Sequence, residues 1–458
     1  MTVINDLLNS NLRTHVWQAW PVIHWNRTLS HQHKQSIIFV LSNLGGKSVA
    51  ALAQLYAIFI FSKIHTPIEA SVIFLLLGYA IWFQVLELGL SQTLQNRFNA
   101  RKSAAADVRL MIVIHYVFVL VLAACVIASP LLPRLLLPAE HYDAKGIEFR
   151  AFSIGMALMI IATSNVILQR MLVVLNKGLT ANTLLILQAL TSLVGLALYA
   201  HTDNPNIVIS VLLYLAPQVL INLPLIINVA RKVHYKHTQR RKDQFRAICT
   251  DALGFWTLNV LSAVFLGADY YFSAHYLSSE QIVSYHFATR FFFLSFVVYY
   301  AFVQHQSRRL TPAALRDGAP AMRKMMRNSA IIGVASVTLI YLSVIALDDL
   351  HLFEHLTNKN VIDHSLMLAA FFYFTIRVLR DVGLVTLSSA GIKSVLYKVY
   401  VVEVVLGFTL LTLTAQRFNG VGILVSMGVT CLVSTLILFY LIKKLITAHT
   451  QNQVPGTM

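Results

Sequence analysis

Residues 110–129 read LMIVIHYVFVLVLAACVIAS, twenty residues without a single Asp, Glu, Lys or Arg. A helix of this length is about 30 Å long, which matches the hydrocarbon core of a bilayer. The whole chain follows this pattern: of its 458 residues, 57% are hydrophobic and 12% are charged, whereas a soluble domain has about 25% charged residues. The sequence therefore predicts an all-α, polytopic membrane protein.

Apolar runs of similar length recur along the chain in two groups of six. They cover residues 37–61, 71–94, 110–129, 149–173, 180–200 and 207–229, and then 247–276, 281–303, 329–346, 365–387, 396–414 and 421–446. This pattern predicts about twelve transmembrane helices in two six-helix lobes. The expected domains are an interfacial or cytoplasmic preface (1–36), an N-lobe (37–230), a basic cytoplasmic linker (231–246), a C-lobe (247–446) and a cytoplasmic tail (447–458).

The loop charges predict the orientation, because Lys and Arg accumulate in short cytoplasmic loops. Of the 36 cations, 26 lie in one alternating set of loops, which includes both termini, and six lie in the other set. We therefore expect both termini to be cytoplasmic. The basic runs 231–246 and 308–324 are then topology determinants that contact anionic lipids, and no nucleic-acid partner is expected.

The sequence offers no pattern for a metal, a disulfide framework or a nucleotide. Cys125, Cys249 and Cys431 are far apart and lack CxxC or Cys/His spacing. The stretch Gly45-Gly46-Lys47-Ser48 lies inside an apolar run without the context of a phosphate-binding loop. No cofactor is predicted, and the two glycines are typical of either a bend or a close helix contact.

Several ionisable side chains lie within the predicted spans, where each costs about 2.5–3.5 kcal/mol at a helix centre. They are Lys47, Glu87, Asp251, Asp269, Arg290, Arg377, Arg380, Asp381 and Glu403. Asp251, Arg380 and Asp381 lie near cytoplasmic ends, where snorkelling to the interface is the simplest interpretation. The remaining charges are expected to face the protein interior, water or one another.

Two of these charges are spaced almost symmetrically about a predicted turn. Asp269 and Arg290 flank Ser278-Ser279-Glu280 at similar distances, so they are expected at similar depth on neighbouring helices. Lys47 and Glu87 are also expected at similar depth, measured from the cytoplasmic ends of their predicted spans. Either pair can be a purely structural ion pair or part of a polar pathway between the lobes.

Three stretches become recognisable as a set. They are residues 87–97 (ELGLSQTLQNR), residues 269–290, which contain DYYF and LSSEQIVSY before Arg290, and residues 391–422, which contain Gly391, YVVE at 400–403 and RFNGVG at 417–422. With twelve spans in two sixes, the chain resembles the Wzx-type polysaccharide flippases of the multidrug/oligosaccharidyl-lipid/polysaccharide exporter superfamily. The likeness extends from Ile37 over nearly the whole chain.

The resemblance implies a non-enzymatic flippase of the bacterial inner membrane. Its substrate would be an undecaprenyl-pyrophosphate-linked oligosaccharide of O-antigen assembly, moved by alternating access with a proton or sodium counter-ion. The resemblance makes Arg290, Lys47 and Arg377 candidates for binding the pyrophosphate or acidic sugars, and Asp269 and Glu87 candidates for cation coupling. Other membrane proteins of polysaccharide assembly would be further partners.

Two other functions remain open from the residues alone. A cation-coupled drug exporter of the same superfamily would need an acidic cavity, and Arg290 and Lys47 disfavour it. A membrane-embedded polysaccharide polymerase or glycosyltransferase would need a large external loop or a soluble acidic site, whereas the longest predicted external loops have about twenty residues.

Overall fold

The computed structural model describes residues 29–99, 105–138, 146–174, 178–231, 239–357, 361–389 and 393–451. The predicted preface 1–36 and tail 447–458 lie largely outside these residues, and the predicted linker 231–246 lies partly outside them. The secondary structure of the described residues is helical, without strands. The predicted all-α class is therefore confirmed, and the described residues from Val40 onward form one compact unit.

The first half of the chain consists of eleven α-helices and one short 3₁₀ helix within the described residues. They are α1 (Leu29–Ile64), α2 (Pro67–Gly78), α3 (Ala80–Phe83), the 3₁₀ helix Gln84–Glu87, α4 (Leu90–Asn99), α5 (Ala105–Ala128), α6 (Leu131–Leu136), α7 (Ile147–Ala162), α8 (Ser164–Val174), α9 (Gly178–Tyr199), α10 (Ile207–Leu220) and α11 (Leu223–Arg231).

The second half contains fewer and longer helices. They are α12 (Gln239–Leu266), α13 (Ala268–Tyr276), α14 (Ser279–Asp349), α15 (Leu352–Thr357), α16 (His364–Ser389) and α17 (Lys393–Gln451). Helix α17 is two helices joined at Asn419, whose backbone is not helical (φ 50°, ψ −140°). Helix α14 runs through the segment 304–328 that the sequence predicts as a loop.

Nine stretches within the described residues are long and apolar enough to cross a membrane. They are Leu44–Ile64, Pro67–Glu87, Arg109–Ala128, Ile147–Leu172, Gly178–Tyr199, Ile207–Arg231, Phe245–Tyr276, Met322–Asp349 and Val395–Lys444. The last stretch has 50 residues, enough for two crossings at about 20 residues each. The multi-span architecture is thus confirmed, while the count of twelve and the two lobes stay predictions.

The second predicted span, 71–94, is not one helix. Leu88 and Gly89 have φ values of 56° and 67°, a left-handed conformation that ends the 3₁₀ helix directly after Glu87. A Cβ on Gly89 would lie 2.5 Å from the Ala252 carbonyl oxygen of α12. Glycine therefore permits both the turn and the close approach of α12, which a hydrophobicity pattern does not reveal.

The turn predicted at Ser278-Ser279-Glu280 is confirmed. The Ser278 hydroxyl accepts a hydrogen bond from the Gln281 amide (3.3 Å), and the Gln281 side chain accepts one from the Ser278 amide (3.0 Å). This reciprocal capping begins α14 at Ser279, with two residues between it and the end of α13 at Tyr276. The turn brings Asp269, in the first turn of α13, and Arg290, on α14, into the same region of the protein.

Helix α1 continues through Gly45 and Gly46, so the two glycines do not interrupt it. A Cβ on Gly46 would lie 3.3 Å from the Asn182 side chain, whereas one on Gly45 would meet no atom within 4 Å. Gly46 therefore allows a close contact between helices, which was one of the two interpretations of these glycines, and it does not mark a bend.

Replacing Gly78 by alanine is expected to destabilise the protein. The new Cβ would lie 2.0 Å from the ring of Tyr270, which is buried and anchored through its hydroxyl to Thr289 (3.0 Å). Overpacking of this kind costs about 1–3 kcal/mol.

The matched control is Gly45→Ala, which is expected to be neutral or stabilising by up to about 1 kcal/mol, because alanine is the better helix former. The apparent melting temperature of each purified variant in detergent measures the difference. Equal melting temperatures for the two variants would contradict the packing described at Gly78.

Candidate functional site

A cavity of about 320 Å³ lies between α1 and α14. Two of its lining residues are cations, Lys47 on α1 and Arg290 on α14, and the described lining includes no carboxylate. The rest of the wall is apolar, aromatic or polar and neutral: Ala50, Ala51, Gln54, Leu55, Ile58, Leu185, Phe293, Leu294, Phe296, Val297 and Tyr300. The cavity thus combines positive charge with aromatic and aliphatic surface.

Arg290 connects the cavity to the end of α2. Its Nη2 donates a hydrogen bond of 2.6 Å to the Leu77 carbonyl in the last turn of α2. Carbonyls at a helix C-terminus lack intrahelical partners and attract positive charge. The guanidinium carbon lies 5.5 Å from the centroid of the Phe293 ring, so this contact tethers the arginine beside the aromatic wall.

Arg377, on α16, lies behind this aromatic wall. Its guanidinium carbon is 5.4 Å from the Phe293 centroid and 5.0 Å from the Phe296 centroid, and both rings line the cavity. Nη1 donates to the Tyr373 hydroxyl (3.3 Å), while the buried Nε has no hydrogen-bond partner among the described residues. The structure therefore gathers all three predicted anion-binding cations around one cavity.

Asp269 does not form the direct ion pair with Arg290 that the sequence suggests. Its Oδ2 accepts a hydrogen bond from the Tyr285 hydroxyl (3.0 Å), and its Oδ1 accepts one from the Tyr270 amide (2.9 Å). The charges of Arg377 and Arg290 act on this buried carboxylate through space. Asp269 is therefore a carboxylate that belongs to the electrostatic surroundings of the cavity without lining it.

Glu87 has a cation partner other than the one expected from the sequence. Its Oε1 lies 4.0 Å from Nη1 of Arg170 on α8 and also accepts a hydrogen bond from the Ser91 hydroxyl. Arg170 in turn acts electrostatically on Lys47. Arg170 lies near the end of the predicted span 149–173, and no sequence pattern pairs it with Glu87.

A second charged cluster shows that snorkelling is the wrong interpretation for Arg380 and Asp381. Arg380 is 1% exposed, and its Nε and Nη2 each donate to Glu403 at 2.5 Å. Its Nη1 donates to Asp381 (2.9 Å), which accepts a 2.7 Å bond from Tyr300 on the cavity wall. The side chain points to the neighbouring helix, and its charge is neutralised there.

The sequence does contain a sign of this pair. Arg380 and Glu403 lie eleven and twelve residues from Gly391, on either side of the connection between α16 and α17. Symmetry about a connection, which suggested Asp269 and Arg290, therefore applies equally to Arg380 and Glu403.

The surface chemistry of the cavity fits an anionic, partly apolar ligand. Arginine and lysine bind phosphate oxygens, and aromatic faces stack on cations and on sugar rings. The described residues contain no group of three or more His, Cys, Asp or Glu suited to a metal ion. The cations and aromatic rings of the lining therefore make the site chemically suited to an anion.

Comparisons with known proteins show which sequences and folds this chain is similar to. No family model matches the chain. It is 23% identical over 401 residues to the "Putative O-antigen transporter" of Salmonella typhi, which covers 85% of this chain and 91% of that protein.

Among solved structures, the fold is similar to the lipid II flippase MurJ in an inward closed conformation, with a TM-score of 0.68, 13% identity and coverage of 89% of this chain and 87% of that one. It is also similar to an inward-facing multidrug resistance MATE family transporter of the MOP superfamily, with a TM-score of 0.64, 13% identity and coverage of 91% of this chain and 100% of that one. The chain therefore has the fold of the MOP superfamily transporters, and its resemblance to O-antigen transporters is confirmed.

Proposed function

We propose that this protein is a flippase that moves an undecaprenyl-pyrophosphate-linked oligosaccharide, the repeat unit of O-antigen, across the bacterial inner membrane. The observation that carries the proposal is the cavity lined by Lys47 and Arg290, with Arg377 behind its aromatic wall. A pyrophosphate diester is an anion that arginines bind by paired hydrogen bonds. The named O-antigen relative and the fold it shares with transporters support the same activity.

In this proposal the cavity opens alternately to the two sides of the membrane, and both termini of the chain lie in the cytoplasm. Asp269 and Glu87 carry the coupling to a proton or sodium ion. Asp269 is suited to this role because it is 5% exposed and lies within the electrostatic reach of Arg290 and Arg377. Loss or gain of charge at Asp269 would therefore change how strongly these arginines attract an anion.

The cavity lining argues against one alternative function, and the comparison with a named relative argues against the other. A drug exporter that takes up cations needs negative charge where this cavity has Lys47 and Arg290. A polymerase or glycosyltransferase is not favoured either, because the named relative is a transporter.

Reconstitution of the purified chain alone into vesicles tests the proposal. The substrate is a fluorescent oligosaccharide on a polyprenyl pyrophosphate, and a membrane-impermeant quencher reports the leaflet in which it lies. We expect the pyrophosphate-linked lipid to change leaflets. A control lipid with the same saccharide and prenyl chain but an uncharged linkage should move much more slowly, by about tenfold or more, because it cannot pair with the arginines.

Equal transfer of the charged and uncharged lipids would contradict the proposed recognition of pyrophosphate. Transport of a cationic dye without transfer of either lipid would favour the drug exporter instead.

A further inference from the structure

His286 is a buried histidine next to the candidate site, and none of the assignments above uses it. It lies on α14 one turn before Arg290 and is 0% exposed. Its ring stacks on Phe74 of α2, with centroids 4.5 Å apart and an interplanar angle of 4°. The imidazole is therefore held in one orientation beside the guanidinium.

The hydrogen bonds of His286 indicate which nitrogen carries its proton. Arg290 Nε lies 3.3 Å from His286 Nε2, and because the guanidinium nitrogen always bears hydrogen, Nε2 must accept. The proton of the neutral ring is then on Nδ1, 3.3 Å from the Tyr270 hydroxyl. That hydroxyl can donate to Thr289 Oγ1 (3.0 Å), whose own hydrogen can go to the carbonyl of Tyr285 (3.0 Å) or of His286 (3.1 Å).

We propose that His286 is a positioning residue for Arg290 and that its protonation is linked to the binding of an anion in the cavity. Neutral His286 accepts from Arg290 Nε and holds the guanidinium against the end of α2. Protonated His286 has two donors and no acceptor, so it releases Arg290 Nε toward the cavity and adds a second positive charge beside it.

Linkage between the two events follows from their charges. Without an anion, the guanidinium of Arg290, whose Nε lies 3.3 Å from His286 Nε2, repels a second positive charge on the ring. An anion beside Arg290 offsets that charge, so binding favours proton uptake, and by reciprocity a proton on His286 strengthens anion binding. The inference rests on the proposed anionic substrate, and it adds that His286 takes up a proton when that substrate binds.

Other ionisable groups near His286 and Arg290 could also make binding depend on pH, and their contribution must be distinguished from that of His286. They are Tyr285 on α14, Asp269 and Tyr270 on α13, Tyr79 directly after α2, Tyr214 on α10, Tyr373 and Arg377 on α16, and Lys47 on α1. Asp269 is the critical one, because its protonation would also increase the positive charge of the site at low pH. The experiment must therefore remove the proton of His286 and leave Asp269 intact.

The test measures binding of a citronellyl-pyrophosphate-linked N-acetylglucosamine to the full-length protein in detergent by calorimetry. This probe is a pyrophosphate diester that keeps its charge between about pH 5.5 and about pH 8, the range in which histidine titrates. We expect the affinity of the native protein to be about tenfold higher at the acidic end, with net proton uptake seen in buffers of different ionisation enthalpy.

The decisive variant is His286→Gln, whose amide oxygen can accept from Arg290 Nε but whose side chain does not titrate. We expect it to bind the probe with an affinity that stays constant with pH and resembles that of the native protein at high pH. The matched control is His115→Gln, since His115 is also buried (2% exposed) but bonds to Ser164 and the Leu86 carbonyl. This control should keep the native pH dependence.

The outcomes separate the two proposals. A pH dependence that survives in folded His286→Gln would overturn the role of His286 and point to Asp269. If that variant does not fold, the native protein still decides, because binding without proton uptake also overturns the linkage. Failure of the probe to bind at any pH would instead count against the proposed function itself.

Discussion

Arg290→Ala is expected to lose nearly all transport of the pyrophosphate-linked lipid, by about a hundredfold or more per folded molecule. Removing one member of a desolvated, hydrogen-bonded charge contact costs about 2–5 kcal/mol, and about 2.7 kcal/mol corresponds to a hundredfold. Arg290→Lys keeps the charge but loses the planar donor array. It should therefore retain partial transport.

The transport assay must be scored per correctly inserted molecule, because Arg290 also bonds to the Leu77 carbonyl. Arg134→Ala offers a control that removes an arginine of α6 outside the cavity lining and should leave transport unchanged. Normal turnover by folded Arg290→Ala would remove this residue from the mechanism.

Glu403→Gln is expected to cause the largest loss of stability among charge-removing substitutions in the C-terminal half. Arg380 is 1% exposed and donates two hydrogen bonds to Glu403, so neutralising Glu403 leaves a buried guanidinium with Asp381 as its remaining carboxylate partner among the described residues. Breaking one side of a buried pair costs about 3–5 kcal/mol, with the lower end expected here because Asp381 remains.

The matched control is Asp251→Asn, which breaks an ion pair between Asp251 and Arg97 (2.5 Å) at a carboxylate whose side chain is 53% exposed. Exposed pairs contribute at most about 1 kcal/mol. Apparent melting temperatures in detergent compare the two variants. If Glu403→Gln unfolds no earlier than Asp251→Asn, the buried cluster is not the stabilising contact described here.

The positions of most helices are predictable from the sequence, because bilayer-length apolar runs leave few alternatives. The turn at Ser278 is predictable for a local reason, since a serine followed by glutamine three residues later is a capping pattern. The break after Glu87 is not predictable in this way. It depends on Leu88 adopting φ 56° and on α12 packing against Gly89, which are tertiary effects.

The candidate site could likewise be predicted only in part from the sequence. Intramembrane position together with the family resemblance made Lys47, Arg290 and Arg377 candidates, and the structure places them around one cavity. Depth along a helix did not indicate that Glu87 lies near Arg170 or that Asp269 accepts from Tyr285, because two residues at the same depth still have to point toward each other. The direction in which a side chain points depends on how the helices pack around their axes.

His286 was missed because a single histidine in an apolar run has no sequence pattern that separates it from a core residue. Its importance comes from its distances to Arg290 and Tyr270, which connect α14 with α13.

Photo-crosslinking from inside the cavity tests the central claim most directly. A photoreactive amino acid replaces Leu294, which lines the cavity on α14, and in a control it replaces Leu339, which is 65% exposed on the same helix. We expect radiolabelled pyrophosphate-linked oligosaccharide lipid to be captured at position 294 far more than at 339, and the capture to fall when Arg290→Ala is added. Equal labelling at both positions, unaffected by Arg290→Ala, would contradict a binding site for the anionic lipid head in this cavity.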